Sequence, residues 1–169
     1  MFPKFLPDCG KVTSLFLNIR TSRIIPFILP IGFIVPSYIS LHTALSFYGM
    51  IPEAVVQITC VTSLKTASFT TDFGEYSYKN VKDNLMFGYE LKPMADKRNI
   101  QFATPEKALL DLLYLYPFYD SKQELEELRL DEDYLHDDLN KGLLTDYCDR
   151  FQSKALDHRL KLLFKTYDL

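Results

Sequence analysis

The sequence predicts an α+β fold: a small, mostly antiparallel or mixed sheet flanked by helices, with a helical C-terminal part, over residues 37–169. Three observations predict it. "AVVQITCVTS" (54–63) is β-branched and alternates apolar with polar residues, as a half-buried strand does. "TPEKALLDLLYLYP" (104–117) is a capped, leucine-rich helix, and everything after Pro117 is charged and of helical period. The body then reads as a small β-sheet flanked by helices, followed by a helical C-terminal part.

The elements follow in order. "SYISLHTALSFYG" reads as a short helix capped by the Ser40 hydroxyl, with Leu41, Ala44, Leu45 and Tyr48 on one apolar face. Gly49 takes the left-handed conformation that ends it, and Pro52 prevents resumption. In the strand that comes next, Val56, Ile58 and Cys60 alternate with Gln57 and Thr59. "KTASFTTDFGEYSYKNV" is a hairpin turning around Asp72 to Gly74, with Tyr76 and Tyr78 sharing a face. "NLMFGYEL" is a loop leading into a short strand, and "RNIQFA" (98–103) is the last strand.

Thr104 caps the leucine-rich helix, Pro105 suits its first position, and Glu106 complements the helix dipole. Leu109, Leu112, Leu113 and Tyr116 make its buried face, which leaves Lys107 and Asp111, four apart, as a weak surface pair. Ser121 and Glu124 form a capping box. "YLHDDLNKGLLTDYCDRF" and "SKALDHRLKLLFKTY" complete the helical part. In the last, Leu156, Leu160, Leu163 and Phe164 form a stripe flanked by Lys154, Arg159, Lys161 and Lys165.

The first 36 residues differ. They hold five prolines, no clear period and a formal charge of +3, so the remainder carries -6 of the total -3. They are expected to form a poorly specified leader. The uncharged stretch from Ile24 to Pro52 is long enough for a bilayer, but Pro26, Pro30, Pro36 and Pro52 break the helix that lipid demands, so neither a membrane span nor a signal peptide is expected.

Composition narrows function. Apolar residues at 47% provide for a core, and an overall charge of -3 without a long basic run gives no support for nucleic-acid binding. Cys9, Cys60 and Cys148, like His42, His136 and His158, are scattered, without disulfide or metal-ligand spacing, and a reducing cytoplasmic setting is expected. A metal-dependent nuclease or other hydrolase would need converging acids and a lysine. Glu106 and Lys107 are adjacent and diverge on a helix, so this stays an alternative only. Tyr76, Tyr78, Phe87 and Tyr89 could stack on bases, but a face covered by helices is the preferred reading. Asp131, Glu132, Asp133, Asp137 and Asp138 read as a solvated turn with a second use against a basic partner. No phosphate-binding loop, dinucleotide fingerprint or nucleophile elbow is present, so no catalytic, cofactor-binding or metal-binding residue is assigned.

"PSYISLHTALSFYGMIPEAVVQITCVTS", "FGYEL" and "ATPEKALLDLLYL", in this order, resemble the AbiEi family, the antitoxin and transcriptional-regulator components of bacterial type IV toxin–antitoxin and phage-defence (abortive infection) systems. "RFQSKALDHRLKLLFKTY" is similar to the helix that often ends such chains. The resemblance implies a non-enzymatic protein without cofactors, whose partner is a cognate nucleotidyltransferase toxin countered directly or indirectly. Lys154, Arg159, Lys161, Lys165, Asp137 and Asp138 are the expected contact residues. Full-length relatives also autoregulate transcription through an N-terminal winged helix. None is legible before Ser37, so direct DNA binding by this chain is not expected, and the leader is expected to reflect a truncated or misassigned N-terminus. A non-functional remnant of such a regulator is the remaining alternative.

Overall fold

In the computed structural model, which describes residues 34–71, 74–93 and 99–169, the sheet is built around a strand of only three residues. This strand, β1 (Ser37–Ile39), stands just before the expected cap at Ser40, where the sequence carries no strand signal, and α1 occupies Leu41–Tyr48. The remaining strands are β2 (Gln57–Thr62), β3 (Ala67–Thr71), β4 (Gly74–Asn80), β5 (Tyr89–Pro93) and β6 (Asn99–Ala103). Their spatial order is β3-β4-β2-β1-β6-β5. The sheet is mixed: β1·β2, β3·β4 and β5·β6 are antiparallel, whereas β1·β6 and β2·β4 are parallel. Four helices follow: α2 (Pro105–Leu115), α3 (Lys122–Glu127), α4 (Lys141–Phe151) and α5 (Lys154–Thr166). The predicted α+β class is thus the observed one.

Short as it is, β1 seats the core. Ser37, Tyr38 and Ile39 pair with Thr62, Val61 and Cys60, and Ile39 also aligns with Phe102 of β6. Where β1 stops, α1 continues the pairing with side chains. Thr43 Oγ1 accepts from the Thr59 amide at 2.8 Å and donates to the Gln57 carbonyl at 3.2 Å, while Thr59 Oγ1 donates to the Ser40 carbonyl at 2.8 Å. Backbone groups of β2 that would otherwise be buried unpaired are satisfied this way. Gly49, at φ 78°, ends α1 as expected.

The predicted β3–β4 hairpin forms, with Tyr76 and Tyr78 on one face and both buried. Its turn residues Asp72 and Phe73, Arg98 before β6, and residues 1–33 of the leader lie outside the described residues. The "NLMFGYEL" segment is a 3-10 turn at Asp83–Leu85 followed by β5. Ser121 Oγ accepts from the Glu124 amide at 3.3 Å, as its capping pattern predicts, and the Glu124 carboxylate accepts from the Ser121 hydroxyl at 2.9 Å and the Asp120 amide at 3.1 Å. The acidic stretch read as a solvated turn within the helical part holds a π-helical turn at Tyr134–Asp138, and Asn140 then caps α4 through the Leu143 amide. Among the described residues no helix is long and apolar enough to cross a membrane.

Candidate functional site

The site that invites chemistry is α2. Its start is as predicted: Thr104 Oγ1 accepts from the Lys107 amide at 3.3 Å, and Pro105 occupies the first turn. Its surface is not. Every residue from Glu106 to Leu113 is buried, so Lys107 and Asp111 are no surface pair but lie wholly inside the protein. The physical reason is that leucines surround the helix (109, 110, 112, 113 and 115) instead of lining one stripe, and a helix apolar on all sides is buried on all sides.

Lys107 Nζ donates to Asp111 Oδ1. The other carboxylate oxygen accepts from Tyr38 Oη at 2.9 Å and from Ser40 Oγ at 2.8 Å. Ser40 therefore does not cap α1 with its side chain, as the sequence suggests; its hydroxyl is spent on Asp111. The strand-to-helix corner that aims it is strained, with Leu41 at φ 58°. Three rings complete the chamber, their centroids 4.5 Å (Phe151), 4.7 Å (Phe87) and 5.5 Å (Tyr38) from Lys107 Nζ. Tyr89 stacks on Tyr38 at 4.9 Å, and the Arg150 guanidinium covers Phe87 at 3.7 Å.

Burial penalises each charge. It lowers the Lys107 ammonium below the usual lysine range, against the pull of Asp111. It raises the Asp111 carboxyl, against Lys107 and the hydroxyls of Ser40 and Tyr38. The Tyr38 phenol is pushed well up by burial and then by Asp111. A lysine with a depressed pKa beside a carboxylate is the raw material of a general base. Here neither side chain has any exposed surface, and Asp111 carries donors on both oxygens. The arrangement locks α2 to β1 rather than presenting a group to a substrate.

Glu106 is turned elsewhere: its Oε1 accepts from the Asn140 amide at 3.1 Å, tying the capping residue of α4 to the start of α2. Among the described residues no group of three or more His, Cys, Asp or Glu side chains is placed to hold a metal ion. His42 is half-buried, edge-on to Tyr116 at 5.7 Å, and burial lowers its pKa. The free thiols of Cys60 and Cys148 are both pushed up to about 12, by burial and, for Cys148, also by Asp157. Of the aromatics considered for stacking, Tyr76, Tyr78 and Phe87 are buried and Tyr89 is half-buried against Tyr38. An open recess of about 890 Å³ at Ser63–Ala67 and Asn80 has no residue of the α2 chamber in its lining.

The expected contact residues divide. Lys154, Lys161 and Lys165 are exposed on α5, and Asp137 and Asp138 are exposed on the π-helical turn. Arg159 is not among them. It is only 8% exposed, and its Nη1 donates to the Leu113 carbonyl at 3.1 Å. It stands three residues after Leu156 and four before Leu163, on the stripe rather than beside it, and that spacing is the sequence signal for its burial. Tyr38, Gly88 and Phe151 are the chamber residues to which sequence reasoning gives no role, and Phe87 is considered there only for stacking on bases. No family model matches the chain, and no curated protein matches it.

Proposed function

We propose that this protein is an antitoxin-like component of a type IV toxin–antitoxin or phage-defence system, cytoplasmic and non-enzymatic, which counteracts a nucleotidyltransferase toxin through its surface or indirectly. One observation supports this reading. The three separated blocks that carry the AbiEi resemblance meet in one place: the first supplies Tyr38 and Ser40, the second Phe87, Gly88 and Tyr89, and the third Lys107 and Asp111. Residues brought together from such distances in sequence hold this scaffold together, and their charges are used inside it. What is left to meet a partner is the surface, above all Lys154, Lys161 and Lys165 on α5 and Asp137 and Asp138 on the acidic turn.

Co-expression with the neighbouring toxin gene tests the proposal. The chain is expected to restore growth, and reversing the charge of Lys154, Lys161 and Lys165 together, or of Asp137 and Asp138, to weaken the rescue without unfolding the protein. Failure of the unaltered, folded chain either to restore growth or to change toxin output overturns it.

A further inference from the structure

A second lysine sits among aromatics at the far edge of the sheet. Lys92 Nζ on β5 lies 5.5 Å from the ring centroid of Phe47, 5.4 Å from Tyr48 and 5.7 Å from Phe102, and donates to Glu90 Oε1 at 2.6 Å. The register explains the meeting: Glu90 pairs with Phe102 and Lys92 with Ile100, so both charged side chains share a face with Phe102. The helix α1 brings the other two rings.

The walls hold each other. Phe47 meets Tyr48 at 5.3 Å and Phe102 at 4.7 Å, Tyr48 meets Phe102 edge-on at 5.8 Å, and Tyr48 Oη donates to the Ala103 carbonyl at 2.8 Å. None of these contacts involves Lys92, so the cup does not depend on its occupant. Its rim is open, with the side chains of Lys92 and Glu90 27% and 54% exposed and Phe47 and Tyr48 half-buried, over a floor formed by the buried Phe102. Ring faces attract a cation of either primary or quaternary type. A carboxylate at 2.6 Å adds an acceptor that only an ammonium bearing N–H groups can use.

We propose that Phe47, Tyr48, Phe102 and Glu90 form a binding site for a primary alkylammonium group, and that Lys92 is its built-in occupant, holding the site closed until it is displaced. The ligand class is the one visible in place: the end of a lysine side chain, or a small aliphatic amine. The proposal is independent of the toxin–antitoxin reading.

The test empties the cup. Lys92→Ala, with Lys92→Ser as a second form, is titrated with n-butylammonium and, separately, with Nα-acetyl-lysine methylamide, following ring resonances of Phe47 and Tyr48 and the thermal midpoint. Saturable binding at millimolar ligand with a raised midpoint is expected, and the wild type should bind about twofold more weakly or worse, because the tethered Lys92 competes at an effective concentration of at least about a millimolar. Equal binding of the lysine amide marks the site as one for a peptide-borne lysine, and binding of n-butylammonium alone marks it as one for a free amine. Adding Phe47→Ala should abolish the response and adding Glu90→Gln weaken it roughly tenfold. The assignment is overturned if both folded Lys92 variants show no saturable binding, if wild type binds equally well, or if n-butanol matches n-butylammonium. Tetramethylammonium binding as tightly as n-butylammonium would overturn the role of Glu90 and with it the choice of a primary ammonium.

Discussion

Lys107 and Lys92 each face three aromatic rings and one carboxylate. Around Lys107 the rings are Tyr38, Phe87 and Phe151 and the acid is Asp111; around Lys92 they are Phe47, Tyr48 and Phe102, with Glu90. The ingredients match, and burial separates the two. Asp111 has a second and a third donor in Tyr38 and Ser40, and no part of the Lys107–Asp111 pair reaches solvent. Glu90 is more than half exposed and Lys92 partly so. Sealed from water, a charge must keep its partner, because losing it strands the other charge in a poor solvent. Open to water, the same pair is replaceable at little cost. The one set of residue types thus makes a keystone in α2 and an exchangeable contact on β5.

The largest effect should therefore come from Lys107→Met, which strands the Asp111 carboxylate and is expected to cost about 3–5 kcal/mol in urea unfolding. Lys107→Met combined with Asp111→Leu should recover only part of that loss: both charges go, but the buried Tyr38 and Ser40 hydroxyls lose their acceptor. A Lys107→Met protein as stable as a Lys92→Ala protein would break the contrast.

Next in size is Gly88→Ala. Gly88 lies at φ 68°, and a Cβ there would stand 2.9 Å from Tyr147 Cε2 and 3.1 Å from Lys107 Cβ. The close fit of α4 over the chamber predicts a loss of about 1–3 kcal/mol by thermal unfolding. Adding Tyr147→Ala should return only part of it, because the backbone strain stays. An unchanged midpoint would mean that α4 yields easily and that the chamber is less tightly closed than Lys107 requires.

Lys92→Ala is expected to lower stability by about 1 kcal/mol or less, the scale of an exposed cation–ring contact and ion pair. A loss on the scale of Lys107→Met would show Lys92 to be a keystone too, and the two sites would differ only in exposure.

Much of the scaffold around both lysines is legible in the sequence because its signals are local. Thr104 and Pro105 open α2, Ser121 opens α3, Gly49 closes α1, and β-branched alternation marks β2. What escapes is non-local. Three residues, Ser37–Ile39, are too few to carry a strand period, and they become a strand only because residues 60–62 and 102 come to lie beside them. A lysine and an aspartate four apart look the same on a wet helix face and in a dry chamber. What buries them comes from Tyr38, Phe87 and Phe151, all distant in sequence. The leucines around α2 were the available sign that no face of that helix is wet.

The smallest expected effect belongs to His42, which is half-buried like Lys92 and lets burial and a nearby acid be weighed against each other. It is half-buried against Tyr116, burial lowers its pKa, and the Glu53 carboxylate opposes the shift. With a folded pKa below the unfolded value of about 6.5, His42 is neutral in both states above that pH and its contribution is then complete. As the pH falls from about 6.5 toward the folded pKa, the unfolded chain takes up the proton first, and stability is lost. Wild type compared with His42→Gln by chemical unfolding at a series of pH values should thus show an advantage at neutral pH that shrinks on acidification. An advantage that grows instead would mean that attraction to Glu53 outweighs burial at a half-buried site. It would also predict that the carboxylate, not the rings, dominates in the similarly half-buried cup around Lys92.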